Sequence, residues 1–115
     1  MVSMSNVPPP NDALAELAAV LGEDNVRTLV TTFLRDFPAS LTELSGGDRK
    51  NRHRVVHSMK SNSRLMGAME LSQRAAELEA RLDRADGADI TPADIAAITR
   101  DFEAVAGPLR AFVGQ

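Results

Sequence analysis

The chain has 115 residues, of which 43% are hydrophobic and 25% are charged, and its formal net charge is −3. This length and balance are typical of a single soluble globular domain. There is no cysteine, which excludes disulfides and thiolate catalysis. No apolar run reaches about 18 residues and no signal-peptide pattern is present, so we expect a cytoplasmic protein without membrane contact.

The composition favours helices packed on helices. Phenylalanine supplies all the aromatic residues, which make up only 3% of the chain, and sheets usually contain more aromatic and β-branched residues than this. Three consecutive prolines at Pro8–Pro10 indicate an extended segment. We therefore predict a flexible tail over residues 1–10 and one helical domain over residues 11–115.

The first half of the domain contains two predicted helices. A short helix capped by Asn11 or Asp12 should stop at Gly22. In the second helix, apolar residues recur every three or four positions between Val26 and Leu44. Pro38 lies inside that pattern, and we expect it to bend the helix because proline lacks the backbone N–H.

Three more helices are predicted in the second half of the chain. The third runs from about Arg49 to Met66, and the fourth runs from near Glu70 to a stop at residues 86–87. The fifth follows an N-cap at Thr91, and Gly107–Pro108 should kink or interrupt it. The expected fold is all-α: an antiparallel four-helix bundle of the long helices, with a short additional N-terminal helix.

A histidine lies on the solvent side of the predicted third helix. At about 100° of rotation per residue, the apolar residues of this helix define a core direction, and His57 points about 160° away from it. Lys60, Ser61 and Arg64 follow His57 within the next two turns. The core residues that set the direction are Val55, Val56, Met59 and Met66.

The segment around this histidine is basic although the chain is acidic. Residues 49–69 contain six cationic side chains and no acid, so the remainder of the chain carries a formal charge of −9. Such an asymmetry indicates a positive surface and an anionic partner or ligand.

Two other uses of this segment are less favoured. His53 and His57 are four residues apart, a spacing that can ligate a metal, but no acid lies between Asp48 and Glu70. The surrounding cations also oppose a divalent ion, so we expect no metal site and no bound cofactor. Nucleic-acid binding is disfavoured by the net acidity and by the absence of tyrosine and tryptophan for stacking.

The residues from His57 to Ser63, followed by Gly67, Ala68 and Leu71, resemble a known motif. It is the phosphorylation motif of histidine-containing phosphotransfer (HPt) domains, with the pattern H-x-L-K-G-x-S-x-x-x-G-A-x-x-L. The residues 33–38 and 78–79 are also similar to conserved parts of that family, and the resemblance covers roughly residues 12–113. Two positions depart from the pattern: Met59 replaces leucine, and Ser61 replaces glycine.

The resemblance implies a phosphorelay intermediate. His57 would accept a phosphoryl group from a receiver-domain phosphoaspartate and pass it to another receiver domain. Lys60 would contact the phosphoryl oxygens, and Glu79, expected at the flank of the fourth helix rather than buried, would accept a hydrogen bond from Nδ1 of His57. An ordinary flank residue remains the alternative for Glu79. We assign four further residues to the partner-binding surface: Ser61, Arg64, Arg54 and His53.

The partners implied are response-regulator receiver domains and a hybrid histidine kinase, with Mg²⁺ held by the receiver. We expect a monomeric phosphoryl carrier without autokinase activity. A histidine-kinase dimerisation domain is disfavoured, because those domains usually have an acid after the histidine and this chain has Ser58. The main alternative is a helical adaptor that docks receiver domains without being phosphorylated.

Overall fold

The computed structural model describes residues 7–115 of the chain, and its regular structure is entirely helical. The predicted tail over residues 1–10 falls mostly outside this range, because residues 1–6 are not described. No strand occurs among the described residues, which confirms the all-α prediction. The five helices are α1 (Asp12–Leu21), α2 (Glu23–Leu44), α3 (Arg49–Leu65), α4 (Met69–Asp83) and α5 (Pro92–Val113).

Polar side chains cap the start of three helices, two of them, at Asn11 and Thr91, as the sequence predicts. Asn11 is the N-cap of α1, where its side-chain oxygen accepts a hydrogen bond from the N–H of Leu14. Asp48 caps α3 in the same way. Thr91 and Asp94 form a reciprocal capping box at the start of α5. These caps satisfy backbone donors that have no partner inside the helix, so the local sequence determines where the helices begin.

The two internal prolines do not interrupt their helices. Pro38 lies within α2 and Pro108 lies within α5, and both helices are continuous. Of the two outcomes expected at Gly107–Pro108, a kink or an interruption, the interruption does not occur. The physical reason is tertiary: buried residues flank each proline, such as Phe37 in α2 and Leu109 in α5, and their packing offsets the loss of one backbone hydrogen bond.

The helix α4 ends at Asp83, earlier than the predicted stop at residues 86–87. The guanidinium of Arg49 lies over this end and donates to the carbonyl oxygens of Arg81, Leu82 and Arg84, at 3.4, 3.2 and 3.1 Å. The last carbonyls of a helix lack intrahelical donors, and a cation there also interacts favourably with the helix dipole. An arginine more than 30 residues away in sequence therefore caps the end of α4.

A cluster of aromatic rings joins α2 to α5. The rings of Phe37 and Phe102 stack with centroids 4.6 Å apart, and Phe33 lies 5.9 Å from Phe102. All three side chains are buried. Aromatic pairs of this kind bury a large apolar area and add specific geometry, so this cluster forms one side of the core.

The other side of the core is the packing of α3 on α4, the most extensive contact among the described helices. The earlier histidine of α3, His53, pairs with Asp83 near the end of α4, and the later one, His57, pairs with Glu79 one turn before it. The two helices are therefore antiparallel. α2 also packs on α3, and α4 packs on α5. The site described below lies along the outer edge of the α3–α4 contact.

The short helix α1 packs on α2 and is fastened to the end of α3. The side-chain amide of Asn11 donates to the carbonyl of Met66 at 2.9 Å. Asn11 also covers Gly67, which has a φ of +73° and where a Cβ atom would lie 2.3 Å from the Asn11 side-chain oxygen. Glycine at position 67 thus meets both a backbone and a space requirement.

Candidate functional site

The helix α3 presents His57 to solvent, as the periodicity predicts. Its neighbours Val55, Val56 and Met59 are at most 5% exposed, whereas the His57 side chain is 59% exposed. An imidazole in this position can be approached by a partner without any rearrangement of the core.

A buried carboxylate on α4 holds the ring of His57. One oxygen of Glu79, Oε2, is hydrogen-bonded to Nδ1 of His57, and the other, Oε1, accepts from Nζ of Lys60. The Glu79 side chain is only 11% exposed. The expectation that Glu79 lies at a flank rather than buried is therefore wrong, because α3 packs closely over this side of α4 and the side chains of His57 and Lys60 cover it.

The pKa of Glu79 lies below its ordinary value, mainly because Lys60 donates to the carboxylate and in addition because of His57, while burial opposes the shift. The carboxylate is therefore ionised near neutral pH and acts only as an acceptor. Nδ1 of His57 must then carry the proton in this bond. When the ring is neutral, Nε2 keeps its lone pair, so the exposed ring then has a nucleophilic nitrogen.

A second histidine lies one turn earlier on α3. Nε2 of His53 is 2.6 Å from Oδ1 of Asp83. His53 is therefore paired through Nε2, whereas His57 is paired through Nδ1. Asp83 is exposed, whereas Glu79 is buried. The two histidines therefore differ in which nitrogen is available.

The predicted partner-binding residues lie along α3 on both sides of His57. Ser61 and Arg64 are exposed and line an open groove together with residues of α1 such as Leu17 and Val20. Arg54 is exposed on the preceding turn, with Nη2 at 3.9 Å from a carboxylate oxygen of Glu43. The structure thus places these residues on one continuous surface with His57, but their roles remain predictions.

The basic surface of α3 is weaker than its composition indicates. Arg52 forms a two-point ion pair with Asp89, with distances of 2.9 and 2.7 Å. Lys60 is paired with Glu79, and Arg49 is used at the end of α4. Acids distant in sequence therefore neutralise part of the positive segment.

Within the part of the chain that the structure describes, Lys50 and Arg64 have no acidic partner in an ion pair. The remaining positive charge is thus found at the two ends of α3, on either side of the histidine.

Two supporting residues were missed at the level of sequence. The hydroxyl of Ser72, on α4, donates to the carbonyl of Lys60 at 2.9 Å and fastens the backbone beside the site. Asp83 is the partner of His53. The spacing of Glu79 and Asp83, four residues apart on α4, matches that of His53 and His57 on α3, and this match could have indicated both pairs.

Neither a metal cluster nor a membrane span is found in residues 7–115. No group of three or more histidine or acidic side chains there is arranged to hold a metal ion. No helix in the same range is long and apolar enough to cross a bilayer.

The helical fold and the exposed imidazole held by a buried carboxylate define a small domain suited to carrying a group on histidine. The sequence model of the Hpt domain family matches residues 28–107. The chain therefore belongs to the Hpt domain family. Hpt domains are phosphocarrier modules, rather than enzymes, that work with receiver domains and kinases in two-component phosphorelays. No curated protein and no solved structure matches the chain.

Proposed function

We propose that this chain is a phosphorelay intermediate that accepts a phosphoryl group on Nε2 of His57 from one receiver domain and passes it to another. The observation that carries the proposal is the bond between Nδ1 of His57 and the buried carboxylate of Glu79. It fixes the tautomer and the orientation of the ring and leaves Nε2 as the reactive atom.

The transfer follows from the chemistry of imidazole. Nε2 of His57 attacks the phosphorus of the phosphoaspartate in line. The N–P bond forms while the P–O bond to the aspartate breaks, and the electron pair leaves with the aspartate carboxylate. The proton on Nδ1 stays in place, where Glu79 stabilises the positive charge that develops on the ring. The reverse sequence delivers the phosphoryl group to the next receiver domain.

The cations near His57 fit the same chemistry. Lys60 is three residues from His57, at a Cβ separation of about 5–6 Å for neighbours on a helix face, so its ammonium can contact the phosphoryl oxygens. Arg64 and Arg54 are exposed on either side and suit docking of an acidic partner surface. Ser61 and His53 lie next to them, and we assign both to the same contact.

The proposal extends to the setting of the reaction. The receiver domain brings the Mg²⁺, and this chain binds no cofactor of its own. We further propose that a hybrid histidine kinase supplies the phosphoryl group, that this chain has no autokinase activity, and that it acts as a cytoplasmic monomer. The contacts of α2 with α3 and α5, and of α4 with α3 and α5, support an antiparallel bundle of these four helices.

Phosphoryl transfer to defined variants tests this function. The protein is mixed with phosphorylated receiver domains and Mg²⁺, and acid-labile phosphate on the chain is followed with time. We expect label on the wild type and none on His57→Gln. His53→Gln should still accept label, but more slowly, because His53 is assigned to the docking surface.

One result would replace the proposal by its alternative. If no receiver transfers label while a receiver still binds the unmodified protein, the chain is a helical adaptor that docks receiver domains without phosphorylation. Label that persists on His57→Gln and disappears from His53→Gln would instead identify His53 as the phosphoryl acceptor.

A further inference from the structure

The carboxylate of Glu79 serves two cationic side chains at once, with one oxygen for each. Oε2 accepts from Nδ1 of His57 and Oε1 accepts from Nζ of Lys60. Lys60 is the larger cause of the lowered pKa of Glu79. In the unphosphorylated protein the ammonium of Lys60 is thus already engaged, by a carboxylate that is largely shielded from water.

Phosphorylation creates a competing site for the same ammonium. A phosphoryl group on Nε2 of His57 adds two negative charges and three strong acceptor oxygens near Lys60. Nδ1 still needs Glu79, and now more so, because the phosphorylated ring carries a positive charge. The ammonium has three donors, so contact of Lys60 with the phosphoryl group either breaks its bond to Oε1 of Glu79 or divides its donors between the two acceptors.

We propose that Glu79 is a positioning residue that acts through Lys60: by holding the ammonium in the unphosphorylated state, it lowers the stability of the phosphohistidine and favours release of the phosphoryl group. This inference rests on the proposed function and adds to it. The charge of Glu79 is its central feature, since a neutral amide can also accept a hydrogen bond from Nδ1 of His57 but attracts the ammonium of Lys60 much less.

The surroundings of Lys60 support a local exchange of partners. The hydroxyl of Ser72 holds the backbone carbonyl of Lys60 at 2.9 Å, so the helix at this point is fixed to α4. The Lys60 side chain is 34% exposed, and its flexible stem can turn toward solvent. Only the ammonium has to move, and α3 and α4 keep their packing.

A simpler effect could also destabilise the phosphohistidine, namely direct repulsion between the Glu79 carboxylate and the phosphoryl group. The two effects differ in one respect. Direct repulsion is present whether or not residue 60 is a lysine, whereas the exchange of partners requires it. A double-mutant cycle on Glu79 and Lys60 therefore separates them.

The experiment measures the phosphorylation equilibrium with phosphoramidate, a small donor whose leaving group is ammonia. Nε2 of His57 forms the N–P bond, and ammonia departs with the electron pair of the broken P–N bond and a proton. Mass spectrometry of the intact protein gives the phosphorylated fraction at fixed ratios of phosphoramidate to ammonia. The variants are Glu79→Gln, Lys60→Met and the double variant.

We expect Glu79→Gln to raise the equilibrium constant for phosphorylation about tenfold when Lys60 is present, which corresponds to about 1.4 kcal/mol. In the Lys60→Met background the same substitution should leave the constant unchanged or lower it. The matched control is Glu77→Gln, which removes an equal charge from an exposed position on the same helix and should change the constant less than about twofold, since interactions between exposed charges are weak.

Equal effects of Glu79→Gln in the two backgrounds, or a decrease when Lys60 is present, would overturn the inference. Thermal unfolding of each variant shows whether the fold is kept. The single variant Lys60→Met offers a second comparison, because it should lower the equilibrium constant for phosphorylation. If phosphoramidate labels the protein but no receiver domain transfers a phosphoryl group to it, the proposed function is overturned. The double-mutant cycle on Glu79 and Lys60 can still be interpreted in that case. If phosphoramidate labels no variant at His57, this inference fails, whereas the proposed function is decided separately by transfer from the receiver domains.

Discussion

Two histidine–acid pairs lie one helical turn apart between α3 and α4. They differ in which ring nitrogen is paired and in how exposed the carboxylate is. The His57–Glu79 pair leaves Nε2 free and uses a carboxylate whose side chain is 11% exposed. The His53–Asp83 pair occupies Nε2 and uses a carboxylate whose side chain is 62% exposed. Water screens the second pair strongly and the first much less. Residue type and spacing alone therefore do not distinguish a histidine whose Nε2 is free from one whose Nε2 is paired.

The largest effect that should separate the two pairs is on the rate of transfer. Glu79→Ala removes the acceptor that orients His57, so we expect phosphorylation by a receiver domain to slow about 10- to 100-fold, by analogy with the loss of carboxylates that orient metal-bound histidines. Asp83→Ala should slow it less than about twofold. Single-turnover transfer from a phosphorylated receiver measures both.

Similar rates for Glu79→Ala and Asp83→Ala would contradict this comparison. Circular dichroism of both variants is the control, because a lost helix would also slow transfer. If Asp83→Ala proved the slower variant, the orienting role would belong to the exposed pair.

A smaller effect should appear in the pH dependence of stability. The folded protein holds the pKa of Glu79 below its ordinary value of 4.5, chiefly through Lys60. Its carboxylate therefore contributes stability that is present above about pH 4.5 and is lost as the pH falls through the lowered pKa. Glu79→Gln should reduce the free energy of unfolding by about 1–3 kcal/mol at pH 7. That difference should shrink as the solution is acidified.

Urea unfolding between pH 7 and pH 3 measures this difference, and the comparison of two proteins at each pH cancels the changes that all other groups cause. A difference that stayed constant down to pH 3 would show that the charge of Glu79 does not contribute to stability.

The smallest effect concerns Asp89, which neutralises Arg52 on the same helix as the two histidines. Arg52 lowers the pKa of Asp89 to about 2, with help from the backbone N–H of Ile90. The contribution of this carboxylate to stability is therefore present above about pH 4 and is lost as the pH approaches 2. Asp89→Asn should cost less than about 1 kcal/mol at pH 7, because the pair is partly exposed. Thermal unfolding across this pH range gives the value, and a cost of several kcal/mol would show that the pair is screened far less than its exposure suggests.

Local patterns in the sequence were sufficient for much of the fold. The apolar spacing predicted that His57 faces solvent while Val56 and Met59 are buried, and the structure confirms this. The helix starts at Asn11 and Thr91 also follow from residues within one turn. In contrast, the continuity of α5 through Pro108 depends on packing against other helices, and no local pattern contains that information.

The sequence by itself determined the helices, the solvent-facing histidine and the family, because each depends on residue types at short, fixed spacings. Only the tertiary structure decided that Glu79 is buried and holds both His57 and Lys60. It also decided that Asp83 and Asp89 neutralise part of the basic segment. These contacts join residues about 20 to 40 positions apart, and they form only when α3 packs on α4 and on the loop that follows it. The electrostatic state of the site is therefore a property of the folded chain, since burial and distant partners determine how strongly each charge acts.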